Sequence, residues 1–138
     1  MKKSIVLLLI FTLISCHTAV KKESLPKLNG YWEIKNVVMA NGEKKEYKVN
    51  ETVDFFKFKD SVGFRQKVMP QLDGHFQTNG IKENIKVREK EGEFVIEYST
   101  PYGTWEEQIL ELGDSTLVLK NQSKLEYEYK RFTPFSLK

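Results

Sequence analysis

Residues 124–132 read KLEYEYKRF, and their alternation decides how the rest of the chain is read. Leu125, Tyr127, Tyr129 and Arg131 fall on one face of an extended segment, while Glu126, Glu128 and Lys130 fall on the other, because successive strand side chains point to opposite faces. The same period of two recurs upstream. EFVIEY groups Phe94, Ile96 and Tyr98, NIKVRE pairs Ile85 with Val87, and STLVLK pairs Leu117 with Leu119. DFFKFK aligns Phe56 with Phe58, and GFRQKV aligns Phe64 with Val68. Each reads as an amphipathic strand with one face toward a core and one toward water.

Turn chemistry separates these runs. Asn41-Gly42, Asp60-Ser61-Val62-Gly63, Asp73-Gly74, Asn79-Gly80, Glu91-Gly92 and Gly113-Asp114 all suit hairpin connections, where Gly, Asn and Asp tolerate positive φ. From Tyr31 onward no segment has helical periodicity. The expectation is an all-β domain of about 8–10 short antiparallel strands in sequence order. A meander with open edges invites pairing with other chains, so closure into an up-and-down β-barrel is the economical arrangement. A two-sheet sandwich is the rival architecture.

The N-terminus reads differently. Lys2 and Lys3 precede a nearly unbroken apolar run from Ile5 to Ile14. That run is shorter than the roughly 20 residues of a membrane-spanning helix and suits a signal peptide over residues 1–15. Leu13-Ile14-Ser15-Cys16 resembles the bacterial lipobox, which implies a lipoprotein acylated at Cys16 and carrying palmitate-like chains. Cys16 is the only cysteine, so no intrachain disulfide can form. Residues 16–27 follow as the lipidated cysteine and a polar, Pro-containing flexible tether, and residues 28–133 form the domain. His17, in the place where aspartate signals inner-membrane retention, favours an outer-membrane anchor in the cell envelope, facing the periplasm.

Without the first 15 residues, 123 of the 138 remain, enough for one domain. Lys2 and Lys3 account for two of the 22 Lys and Arg, which leaves 20 against 19 Asp and Glu. That balance supplies no electrostatic footprint for nucleic acid.

Leu28-Asn29-Gly30-Tyr31-Trp32, then LELGDSTLVLK at 110–120, then Tyr127-Glu128-Tyr129-Lys130-Arg131-Phe132 resemble the small lipocalin-like lipoproteins of Bacteroidota, within the lipocalin superfamily. The resemblance covers about Leu28 to Phe132. It implies that Trp32, preceded by Gly30, closes one end of the barrel and that Arg131 packs across its indole face. The Thr-Asp-Tyr loop motif of lipocalins is absent.

A catalytic constellation does not assemble from the sequence, and the expectation is a protein that is not an enzyme. His75 is the domain's only histidine, beside the Asp73-Gly74 turn. Glu106 and Glu107 are adjacent on a strand and point to opposite faces. Asp60, Asp73 and Asp114 are scattered in turns, and neither a metal site nor a cofactor is expected. Aromatic residues stand out instead. Phe56, Phe58, Phe64, Phe94, Tyr98, Trp105, Tyr127 and Tyr129 are assigned to inward faces, where they line a ligand cavity or simply fill a small barrel. Residues 100–105, TPYGTW, are the rim candidate. Two functions follow: a membrane-anchored lipocalin-like protein holding a small apolar or amphipathic ligand, or a protein-interaction or inhibitor module of the envelope with a filled interior.

Overall fold

The protein is described by a computed structural model over residues 18–136; Cys16 and the leader lie outside the described residues. A 3-10 helix, Lys22–Leu28, precedes ten strands: β1 Gly30–Val38, β2 Lys44–Glu46, β3 Val53–Lys59, β4 Val62–Pro70, β5 Phe76–Gln77, β6 Glu83–Lys90, β7 Glu93–Thr100, β8 Gly103–Leu112, β9 Thr116–Asn121 and β10 Glu126–Arg131. Eight of them, β1, β3, β4, β6, β7, β8, β9 and β10, pair antiparallel around a closed ring that the β1–β10 ladder seals. The expected up-and-down barrel is present, and closure removes the edges that a sandwich would expose.

Local chemistry explains the corners. Asp60 and Ser61 both adopt positive φ between β3 and β4, and Glu91 with Gly92 does the same between β6 and β7. Such two-residue turns match the twist of the strands they join. β2 and β5 lie off the ring, β2 as a short extension against the end of β1 and β5 folded back on the end of β4. A bulge between Ile34 and Asn36 keeps Val37 in phase with the inner face while β1 continues along β10.

The inner face of the ring packs Trp32, Phe56, Ile85, Val87, Ile96, Tyr98, Ile109, Leu112, Leu117, Leu119 and Tyr129 into one core. Leu25 and Leu28 of the 3-10 helix enter that core from one end, and Val20 packs against it. Residues 22–27, expected within a flexible tether, therefore belong to the fold. Two leucines three positions apart sit one above the other on a helix with three residues per turn, so even this polar segment has an apolar edge to bury.

A second apolar layer lies outside the ring. Tyr31 stacks on Phe55 at 4.7 Å and on Phe76 at 4.3 Å, and Phe55 meets Phe64 edge-on at 6.0 Å. Phe132 continues the row from Phe76 at 6.5 Å to Phe135 at 5.7 Å. The β5 arm and the residues after β10 thus cover the outer surface of β1 and β3.

Candidate functional site

The helix end of the barrel is sealed. Trp32 is completely buried and donates its Nε1–H to the Leu28 carbonyl at 2.8 Å. The Arg131 guanidinium lies over the indole, its central carbon 3.8 Å from the ring centroid. It donates to the carbonyls of Asn29 at 2.6 Å, Lys27 at 2.7 Å and Asp114 at 3.0 Å. Burial lowers the Arg131 pKa from its ordinary value. Gly30 adopts φ +119°, and a Cβ there would stand 2.7 Å from Arg131 Nη1, so a larger residue would push the guanidinium off the ring. Asn29 ties the helix to β3 by accepting from the Phe58 amide at 2.6 Å and donating to the Phe58 carbonyl at 3.0 Å.

Above this floor the inner wall is charged as well as aromatic. On β4, Arg65 faces inward, because its register partner on β3 is Phe56 of the core. Its guanidinium grips Glu83 through two contacts, Nε to Oε1 at 2.8 Å and Nη2 to Oε2 at 3.0 Å, and reaches Glu107 at 3.3 Å. It also lies 4.2 Å from the centroid of the Tyr98 ring, which stacks on Trp105 at 5.3 Å. Burial works to lower the Arg65 pKa, but Tyr98, Glu83 and Asp54 outweigh it and raise the pKa, so the guanidinium stays charged. Glu107 is pushed up by burial, with Arg65 opposing the shift. The Tyr98 and Tyr129 hydroxyls are pushed well above the usual tyrosine value, first by burial and then by the carboxylates nearby: Glu107 for both, and Asp54 for Tyr129. The Tyr98 hydroxyl is buried without a well-formed hydrogen bond among the described residues, although Glu107 is near enough to act on it electrostatically.

Between Trp32 and the barrel mouth lies a cavity of ≈ 440 Å³, open on one side. Ile34, Val37, Tyr127, Tyr129, Asp54 and Lys67 form its inner wall, and Tyr47, Val49, Asn50, Glu51 and Thr52 form its outer lip. The cavity exists because β1 pairs with β3 only over Gly30–Trp32, after which the chain between β2 and β3 bridges the gap. Asn50 pins that lip by donating to Glu33 Oε1 and to the Ile34 carbonyl, each at 3.1 Å. At the inner wall Lys67 Nζ meets Asp54 Oδ1 at 2.9 Å.

The aromatic residues expected to line one apolar cavity separate into groups. Phe56, Phe58 and Phe94 pack in or against the core, and Tyr98 and Trp105 flank Arg65. Only Tyr127 and Tyr129 reach the cavity. Phe64 is a correction: it lies on the outer face, against Phe55 and under Lys82 Nζ at 4.3 Å. Val68 shares that outer phase and is nevertheless buried. Of the rim candidate, Tyr102 is fully exposed while Trp105 is inside. Glu106 and Glu107 do diverge, with Glu106 bonded to Lys90 and Arg88 on the outside. The site residues missed in the sequence are Asp54, Arg65, Lys67 and Glu107. Asp54 was findable, since it shares the phase of Phe56 and Phe58. Among the described residues, no group of three or more His, Cys, Asp or Glu could hold a metal ion.

A family profile described as a lipocalin-like domain matches residues 28–119. No curated protein sequence matches the chain. Among solved structures, a lipocalin-like protein from Bacteroides uniformis is similar at 16% identity and a TM-score of 0.48, covering 77% of this chain and 99% of that one. An uncharacterized protein from Bacteroides eggerthii shares 13% identity at a TM-score of 0.47, with 76% and 99% covered. Apocrustacyanin C1 shares 15% identity at a TM-score of 0.45, with 83% and 67% covered.

Proposed function

Because the chain belongs to the lipocalin-like domain family, we propose that it is a binding protein for a small amphipathic molecule, held in the cavity above Trp32. The observation that carries this reading is the cavity itself: ≈ 440 Å³ between a sealed floor and a lip pinned by Asn50, walled by Tyr127, Tyr129 and Ile34 with one ion pair. Ligand pockets of about 300–1,000 Å³ combine apolar walls with a few polar groups that fix orientation in this way. The arrangement suits binding; the buried carboxylates are held in ion pairs instead of being set against an open reaction centre.

The same proposal places the protein at the cell envelope, exported by the leader and anchored at Cys16 to the outer membrane, facing the periplasm. The lipobox-like Leu13-Ile14-Ser15-Cys16 supports that placement. Native mass spectrometry of the purified protein is expected to show a co-purifying small molecule, or else displacement of an amphipathic fluorescent probe. A correctly folded sample that shows no co-purifying molecule and no probe binding would overturn the binding reading.

A protein-contacting module is the second reading. It draws on the outer face, where Met69, Pro70, Phe132 and Phe135 border an apolar groove of ≈ 630 Å³. A stoichiometric partner crosslinked in intact membranes, with no small molecule bound, is the outcome that favours it.

A further inference from the structure

We infer that the ligand of this cavity is an organic cation, an amine or quaternary ammonium group attached to an apolar body, with the cation seated against Asp54. The inference rests on the binding role proposed above and specifies the charge of the molecule bound.

Five charged side chains gather on the inner wall above Trp32. Asp54, Glu83 and Glu107 are acidic; Arg65 and Lys67 are basic. Acid therefore exceeds base by one. Arg65 is turned away from a guest: it grips Glu83, touches Glu107 and lies on the Tyr98 ring, and it is not part of the cavity lining. Of these five, only the Asp54–Lys67 pair lines the cavity, and the lip adds one more carboxylate, Glu51.

That pair is unequal. The Asp54 side chain is 6% exposed and fixed in the wall, whereas Lys67 is 65% exposed and reaches in from solvent. Lys67 is held on a solvated, flexible arm, so its place beside the carboxylate is readily exchanged for another cation. Lys67 can swing out at small cost, provided another cation takes its place. An ammonium group entering the cavity does that, and its apolar body adds burial against Ile34 and Val37. An anionic guest has to draw Lys67 toward itself, which strips a buried carboxylate of its partner, a strongly unfavourable exchange. Tyr127 and Tyr129 line the same cavity, and aromatic rings of this kind attract ammonium ions.

Three probes of equal chain length separate the cases: dodecyltrimethylammonium, dodecanoate and dodecanol, each titrated into the purified full-length domain below its micellar concentration and followed by calorimetry. The ammonium is expected to bind at least about tenfold more tightly than dodecanoate. Asp54→Asn is expected to abolish that preference, with circular dichroism reporting the fold. Lys67→Gln, on an exposed side chain, is expected to tighten ammonium binding by removing the competing cation, and it decides the matter if Asp54→Asn does not fold. Dodecanoate binding as tightly as the ammonium, or Lys67→Gln leaving ammonium affinity unchanged, overturns the charge assignment while the cavity reading stands. Binding of none of the three probes overturns the cavity reading itself.

Discussion

Arg131 covers one face of the Trp32 indole at 3.8 Å and, from that single position, bonds carbonyls on both sides of the barrel floor: Lys27 and Asn29 before β1, and Asp114 between β8 and β9. Charge, stacking and a planar fork of donors act together there. Lysine keeps the charge but offers neither the plane nor the fork. Arg131→Lys is therefore expected to destabilise the domain by about 1–3 kcal/mol, read by urea denaturation. An unchanged midpoint would mean the floor is held by the helix alone.

Trp32 presents a larger loss. Truncation removes a fully buried ring together with the donor that satisfies the Leu28 carbonyl. Trp32→Ala is expected to cost about 3–5 kcal/mol and to loosen the 3-10 helix, seen as faster amide exchange over residues 22–28. Normal thermal stability in this variant would contradict the packing role.

Glu107 predicts a pH dependence. Its native pKa is raised by burial, so the folded state holds this proton to higher pH than the unfolded chain does. Stability then falls as pH climbs through and above the ordinary value of 4.5. Glu107→Gln removes the ionisation without changing the shape. The variant is expected to melt higher than the parent at pH 8, with the difference shrinking as pH falls toward 4.5. A gap that stays constant across that range would show that the carboxylate does not carry this part of the pH dependence.

The cavity and the outer aromatic row predict opposite outcomes for two substitutions. Ile34→Trp, on the inner wall, fills the space beside Tyr129 and is expected to abolish probe binding while the barrel remains folded. Phe64→Ala, on the outer face against Phe55, is expected to lower stability and to leave probe affinity within about twofold. Loss of binding in Phe64→Ala with retention in Ile34→Trp would move the site to the outside.

Cys16→Ala is expected to shift the protein from the membrane to the soluble fraction and to eliminate palmitate labelling, since each buried methylene of an acyl chain contributes about 0.8 kcal/mol. Labelling that persists in the variant would refute the anchor.

The ring was legible in the sequence because period-two patterning and turn residues are local signals. The 3-10 helix was not, since KESLPKL offers two leucines, a proline and no amphipathic length. β4 was read in the wrong phase for a different reason. Phe64 and Val68 look like core residues, but they share the outer face, where Phe64 packs against Phe55 and beneath Lys82. Arg65 looks like a surface residue, yet its partners Glu83 and Glu107 stand 18 and 42 positions away. Pairings across that distance leave no trace in a neighbour-by-neighbour pattern. Trp32 and Arg131 carry long-range information only through the resemblance of their motifs.

The β1–β10 seam also sets an order of events. Most other ladders of the ring join neighbouring hairpin strands, which can find each other early. The seam brings together segments such as Asn29 and Arg131, 102 positions apart, so it bears the greatest loop-closure entropy. A chain emerging from its N-terminus cannot complete the ring until its last strand has been delivered. Folding therefore finishes where the first and last strands meet, and a product cut short before β10 retains an open sheet whose first strand has lost its seam partner.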